Sequence, residues 1–210
     1  MTDLSFLREN QQRDARLLVD AITAGQEITL SHSPIGIGKT STMIGSLLQL
    51  TSSSSSVLIS TQLQLIDQWK NMIRKYAPTS RVFVYGGTSP AQSFAEVCCS
   101  GRRKSLTSLQ DMAILGPDRW HESVSERCFF ITSHSNVSKL AAHLSEWFDV
   151  AIQDELSLSE SAQRNQLTLL RSLSHKLVWF RNSEPSKNSG FPVQVTDISY
   201  RHNIADSARI

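Results

Sequence analysis

The chain has 210 residues, enough for one domain of generous size or one domain with an insertion, and too few for two large ones. Hydrophobic residues make up 40% and charged residues 19%, which excludes a globally disordered chain. A formal net charge of +2 excludes whole-chain attraction as the basis of nucleic-acid binding, so such a partner would have to meet a local patch.

Taken in chain order, "LRENQQRDARLLVDAITAG" places Leu7, Leu17, Leu18, Ala21 and Ile22 at helical spacing, with Gly25 as a stop. "EITLSHS" is a short β-rich run, and "TSTMIGSLLQL" puts Met43, Ile44, Leu47 and Leu48 on one helix face. Between them lies a glycine-rich loop. The tract Thr51 to Ser56 is a polar, low-complexity connection. "VLIST" then reads as a buried strand, "LQLIDQWKNMIRKYA" as an amphipathic helix and "RVFVYGG" as a strand closed by glycines. Residues 89–126 read as an insertion or a chain of short helices, with a helix at "PAQSFAEVC", a basic run "SGRRKS" and a Gly-Pro at 116 and 117. Alternation resumes with "CFFITS" as strand, "NVSKLAAHLSEW" as helix, "FDVAIQDE" as strand, "SAQRNQLTLLRSLS" as helix and "KLVWF" as strand, and the tail adds one more strand. Strands alternating with helices predict an α/β fold, a mostly parallel sheet with helices on both faces.

Three cysteines, Cys98, Cys99 and Cys128, are odd in number and two are adjacent, so they form neither a disulfide framework nor a zinc-ligand spacing. A reducing compartment follows. There is no 18-residue apolar run, and "MTDLSFLREN" carries charge where a signal peptide needs an apolar core. The expectation is an intracellular protein without a membrane partner, in the nucleus for a eukaryotic host or a virus replicating there, and otherwise in the cytoplasm.

The loop "SHSPIGIGKTST" ends in Gly38-Lys39-Thr40 as a phosphate-binding loop does, but Ser33 stands where the general pattern has its first glycine. A loop between a buried strand and a helix N-terminus directs several backbone N–H groups at one point, where the helix dipole adds positive potential. Gly36 and Gly38 let the backbone approach phosphate oxygens, Lys39 supplies a charge to the β/γ-phosphates, and the Thr40 hydroxyl can bind Mg²⁺. A magnesium nucleotide also needs carboxylates, one for the metal and one for the attacking water. "FDVAIQDE" offers Asp154 and Glu155 after an apolar run, at the carboxyl edge of a strand, where α/β sheets bind ligands.

These residues together resemble the N-terminal RecA-like lobe of superfamily 2 helicases and translocases, in the region of the Swi/Snf-type and the DNA-repair and restriction-type members. In that group a small residue often replaces the first loop glycine, and Ser33-Pro34-Ile35-Gly36-Ile37-Gly38-Lys39-Thr40, with Ser41 following, fits that version. The resemblance makes "LRENQ" an L-R-x-x-Q segment with Gln11 as the adenine-reading glutamine. "VLISTQLQLIDQW" is similar to the family's L-V-V-P-T-x-x-L-x-x-Q-W run, with Leu65, Gln68 and Trp69 matching. "FFITSHSNV" resembles the turn that touches the nucleic-acid backbone, so Thr132 or Ser133, with Thr61, are the candidate nucleic-acid contacts. Asp154 would support Mg²⁺ and Glu155 would act on the water.

The resemblance implies a P-loop NTPase lobe spanning 1–210, binding ATP and Mg²⁺ as a helicase-type ATP hydrolase, with nucleic acid, DNA rather than RNA, as partner. It also implies a second RecA-like lobe, in cis or in trans, for which these 210 residues leave no room. Departures concern coupling. Leu156-Ser157 follows the acids where the family has a small residue and then His, Asn182-Ser183-Glu184-Pro185 replaces a threonine-rich motif, and Thr61 stands where proline is usual. The alternative is a degenerate, catalytically weak module that serves as a nucleotide- or protein-binding scaffold.

Trp69, Trp147 and Trp179 are expected in the core rather than as base-stacking platforms, Arg102-Arg103-Lys104 as a solvated run, and His134 as no metal ligand.

Overall fold

Alternate residues of the central strands go to opposite sides of one sheet, and among the described residues each side is closed by three helices. In the strand Ser56–Thr61, Val57 and Ile59 join one buried cluster and Leu58 joins the other. The computed structural model describes residues 4–24, 28–32, 38–50, 55–86, 92–97, 103–154, 160–181 and 196–199. Within them the strands are β1 (Ile28–His32), β2 (Ser56–Thr61), β3 (Arg81–Tyr85), β4 (Ser93–Val97), β5 (Arg103–Ser108), β6 (Cys128–Ser133), β7 (Phe148–Gln153), β8 (Ser174–Arg181) and β9 (Thr196–Ser199). The helices are α1 (Glu9–Thr23), α2 (Lys39–Leu50), α3 (Ile66–Tyr76), α4 (Leu109–Ser123), α5 (Val137–Ala141) and α6 (Glu160–Leu173).

The sheet runs β5-β4-β3-β6-β2-β7-β8-β1-β9. The seven strands from β3 to β9 in that order pair in parallel, while β4 and β5 add an antiparallel hairpin at one edge. All seven parallel strands therefore present their carboxyl ends at one edge, the edge that binds ligands in open α/β sheets.

One face carries Leu18 and Ile22 of α1, Met43, Ile44 and Leu47 of α2, and Ile66, Trp69 and Ile73 of α3. The other carries Leu109, Met112 and Trp120 of α4, Val137 and Leu140 of α5, and Leu167 and Leu170 of α6. Phe130 of β6 centres that second face, with ring centroids of Phe83 and Phe94 at 4.8 and 5.0 Å. A fully buried side chain of this size stabilises the fold by about 1.5–3 kcal/mol. The α/β expectation with helices on both faces therefore holds.

The helix expected at "PAQSFAEVC" is strand β4 instead. Its pattern lacks a helical face: Phe94, Ala95 and Glu96 are all buried. Phe94 packs on Tyr85 and Phe130, and the Glu96 carboxylate takes a two-pronged hydrogen bond from Arg81 of β3, Nε to Oε1 at 2.9 Å and Nη2 to Oε2 at 2.8 Å. Tertiary pairing thus overrides local preference. The helix expected over "NVSKLAAHLSEW" is shorter, ending at Ala141. Beyond it Glu146 adopts a positive φ of 48° and its N–H donates to Ser172 O, which turns the chain into β7. Gly116, at φ 72°, and Pro117 kink α4 at the expected Gly-Pro. No helix among the described residues is long and apolar enough to cross a membrane.

Candidate nucleotide site

The site begins with how the N-terminal segment is seated. A Cβ on Gly45 of α2 would meet Leu7 Cδ1 at 2.6 Å, so the missing side chain there makes room for Leu7, with Leu4 beside it. Leu4, Leu7 and Ala15 form a small buried cluster on that contact. Seating Leu7 fixes where α1 starts. Arg8 N–H donates to Gln11 Oε1 at 3.0 Å, satisfying a donor at the helix start. The other end of the Gln11 amide lies against Gly38, where an added Cβ would come within 2.3 Å of Nε2. Gly38 has φ +84°, a conformation that favours glycine. Its carbonyl accepts from Thr42 N–H at 3.1 Å and from Ser41 Oγ at 2.7 Å.

Lys39 and Thr40 occupy the first turn of α2, both half-buried. That turn contains no acidic residue, so nothing on it offsets the positive end of the helix. Ser33, Pro34, Ile35, Gly36 and Ile37 lie outside the described residues, as does Glu155. Gln11, Gly38, Lys39, Thr40 and Ser41 are brought together at one place.

Asp154 follows β7 at the same edge of the sheet. Its backbone N–H donates to Ser60 O at 2.8 Å, which continues the β2–β7 ladder by one residue. Its Oδ2 accepts two hydrogen bonds, from Thr61 Oγ1 at 3.0 Å and from Trp69 Nε1 at 2.6 Å. Neither tie was expected from the sequence. The signal was present in Thr61, standing where proline is usual, and in the Gln68-Trp69 pair, but pairing either with Asp154 needs the fold, because the contacts span 93 and 85 residues.

The residues expected to meet nucleic acid lie at this edge too. Thr61 and Thr132 have no exposed surface and Ser133 is 6% exposed. Thr61 spends its hydroxyl on Asp154, and Ser133 Oγ is within 3.0 Å of Ser135 Oγ and of Asn136 Nδ2. The exposed surface beside them belongs to Leu63, Gln64 and Ser135. Under this surface lies a polar floor. His134 Nδ1 is 2.8 Å from Ser60 Oγ and 2.9 Å from Gln153 Nε2, and Gln166 Nε2 donates to His134 O at 3.0 Å. The floor ties the ends of β2, β6 and β7 to α6. No group of three or more His, Cys, Asp or Glu suited to a metal occurs among the described residues. Trp69 and Trp147 are both in the core, 2% exposed. At the opposite edge Ser56, His121 and Asp149 meet, but Ser56 Oγ and Asp149 Oδ2 both face the same ring nitrogen, Nε2. That geometry is a staple between β2, α4 and β7 rather than a nucleophile and its base.

Residues 5–174 match the profile of the type III restriction enzyme res subunit family. The chain belongs to that family. The match bears out the resemblance read from the motifs, to the N-terminal RecA-like lobe of superfamily 2 helicases and translocases, on its restriction-type side. Two solved structures share the fold of this res-family chain. The SWI2/SNF2 ATPase core of Sulfolobus solfataricus in complex with double-stranded DNA is 17% identical, with a TM-score of 0.54, over 87% of this chain and 33% of that one. The ATP-dependent type ISP restriction-modification enzyme LlaBIII bound to DNA is 16% identical, with a TM-score of 0.54, over 87% of this chain and 13% of that one. The chain thus spans a third or less of the length of each. Comparison with curated protein sequences gives no match.

Proposed function

We propose that this res-family lobe is the ATP-binding part of a nucleic-acid-dependent ATPase, with Mg-ATP held between the Gly36 to Thr40 loop and the Asp154-Glu155 pair. The observation that carries the reading is the seating of Gln11 against Gly38. A side chain that would read adenine is thereby fixed to the end of the loop that would hold phosphates. The residues present fit the ligand: the first turn of α2 carries Lys39 and no acidic residue, and the sheet edge carries a carboxylate.

Lys39 would place a positive charge on the outer phosphates, and the Thr40 hydroxyl and the Asp154 carboxylate would hold the cation. Bound Mg²⁺ neutralises charge on the β- and γ-phosphate oxygens. Glu155 would orient the attacking water and accept its proton. Both solved neighbours are DNA complexes, which supports DNA as the nucleic-acid partner, met by the strand-end turns at 62–65 and 133–136. With the hydroxyls of Thr61 and Thr132 turned inward, backbone groups and the exposed Gln64 and Ser135 would make that contact. A second RecA-like lobe, in cis or in trans, would complete the cleft.

Titration with a fluorescent ATP analogue in Mg²⁺ tests the reading. Lys39→Ala removes a charge-assisted contact worth about 1.5–3 kcal/mol, so affinity is expected to fall roughly ten- to a hundredfold. Equal affinity in the two proteins would overturn the assignment of the loop.

A further inference from the structure

We propose that Thr61 and Trp69 are positioning residues that aim the carboxylate of Asp154 at the cation, so that the Mg²⁺ dependence of nucleotide binding is set from the 61–69 segment as well as from the loop. The proposal rests on the reading of Asp154 as the metal-supporting acid.

Both donors converge on one oxygen. Thr61 Oγ1 lies 3.0 Å and Trp69 Nε1 2.6 Å from Asp154 Oδ2. A carboxylate holding two donors on the same oxygen has its plane fixed, and the direction of Oδ1 is fixed with it. The backbone on both sides is equally constrained, because Asp154 N–H is bonded to Ser60 O, the residue before Thr61. Neither donor is free to wander. Thr61 ends β2 with no exposed surface, paired with Ser133. Trp69 is 2% exposed, and its ring belongs to the cluster of Ile66, Ile73, Val57 and Ile152. An indole N–H can only donate, and burying it without an acceptor is costly, so Trp69 and Asp154 require each other's geometry.

Local chemistry explains why the chain has threonine at 61. The resemblance puts proline at this place, and proline has no hydroxyl to give. The two donors also flank the turn Leu63–Leu65, in which Leu63 is 67% exposed. The segment that would face nucleic acid is thereby hydrogen-bonded at both ends to the acid that would face the metal. A purely structural pair of hydrogen bonds would change stability and leave the metal response alone. A positioning pair changes the metal response itself.

The test is a fluorescent-nucleotide titration of the 210-residue chain in EDTA and over a Mg²⁺ series, with wild type, Thr61→Val, Thr61→Ser, Trp69→Phe and Lys39→Ala. Thr61→Val and Trp69→Phe are expected to leave affinity in EDTA within twofold of wild type and to raise the half-saturating Mg²⁺ by about three- to tenfold, less than the roughly ten- to hundredfold of a direct hydrogen bond to a charged group because these residues act through Asp154. Thr61→Ser keeps the hydroxyl and is expected to retain the wild-type Mg²⁺ response. Amide hydrogen exchange at residues 62–65 provides a second readout. Mg-nucleotide is expected to slow it in wild type and much less in Thr61→Val. If Trp69→Phe fails to fold, the contrast between valine and serine at 61 decides the matter alone. A wild-type Mg²⁺ response in Thr61→Val, with wild type binding Mg-nucleotide normally and Lys39→Ala impaired, would overturn this proposal while leaving the nucleotide site standing. No nucleotide binding by wild type under any condition would instead overturn the nucleotide site.

Discussion

Replacing Gly38 by Ala tests whether Gln11 and the end of the loop form one unit. Alanine at φ +84° sits in the left-handed region, which costs about 1–2 kcal/mol. Its Cβ would also fall 2.3 Å from Gln11 Nε2, well inside contact distance. That amide is the far end of a flexible side chain, so it yields by rotating away. Rotation breaks the bond from Arg8 N–H to Oε1, a further loss of about 1 kcal/mol. Gly38→Ala is therefore expected to destabilise the chain by about 2–3 kcal/mol. In a Gln11→Ala background only the backbone strain remains, about 1–2 kcal/mol, which leaves a coupling of about 1 kcal/mol between the two positions. Urea unfolding of the four proteins at one pH and salt concentration measures the cycle, and fluorescent-nucleotide affinity is read on the same samples. Additive losses, or a Gly38→Ala protein as stable as wild type, would refute the seating of Gln11 on the loop.

Burial pushes the Cys128 thiol up from 9.0 to about 11. A folded-state pKa above the unfolded value means that the native state holds this proton more tightly. Its stabilising contribution is full below pH 9 and is lost as pH rises toward 11, about 2–3 kcal/mol in all, which urea unfolding at pH 8, 9.5 and 11 would reveal against a Cys128→Ala control. Removing the Arg81 fork strands the buried Glu96 carboxylate, so Arg81→Ala is expected to destabilise by about 2–3 kcal/mol, below the fully buried case because the guanidinium is partly exposed. Arg81→Lys should recover only part of the loss, since a single ammonium does not reproduce the two-pronged geometry; unchanged stability in the alanine variant would exclude a role for the pair in holding β4. The 210 residues by themselves are expected to hydrolyse ATP slowly and to respond little to DNA or RNA, because an arginine delivered from a second lobe is worth about 10³–10⁵ in rate. Steady-state turnover over a titration of single- and double-stranded DNA and RNA at low salt checks this, and strong stimulation of the monomer would refute it.

The α/β class and, outside residues 89–126, the order of the described strands and helices were legible in the sequence, because each depends on local patterning: apolar runs such as "CFFITS" and "FDVAIQ", helical spacing in α1 and α3, and glycines before Lys39. The resemblance carried by "GIGKT", "LIDQW" and "QDE" was legible for the same reason, and the family match bears it out. β4 was misread because its three consecutive buried residues, Phe94, Ala95 and Glu96, imitate no strand by themselves; a partner strand supplying Arg81 makes a buried glutamate tolerable there. The seating of Gln11 on Gly38 and the convergence of Thr61 and Trp69 on Asp154 belong to the tertiary structure alone. Periodicity reports which face of its own element a side chain occupies. Which distant residue waits on the other side is decided by sheet order and by the helices packed on the sheet, and here β2 beside β7 brings Thr61 to Asp154, 93 positions away, while α3 on the face brings Trp69 to it across 85.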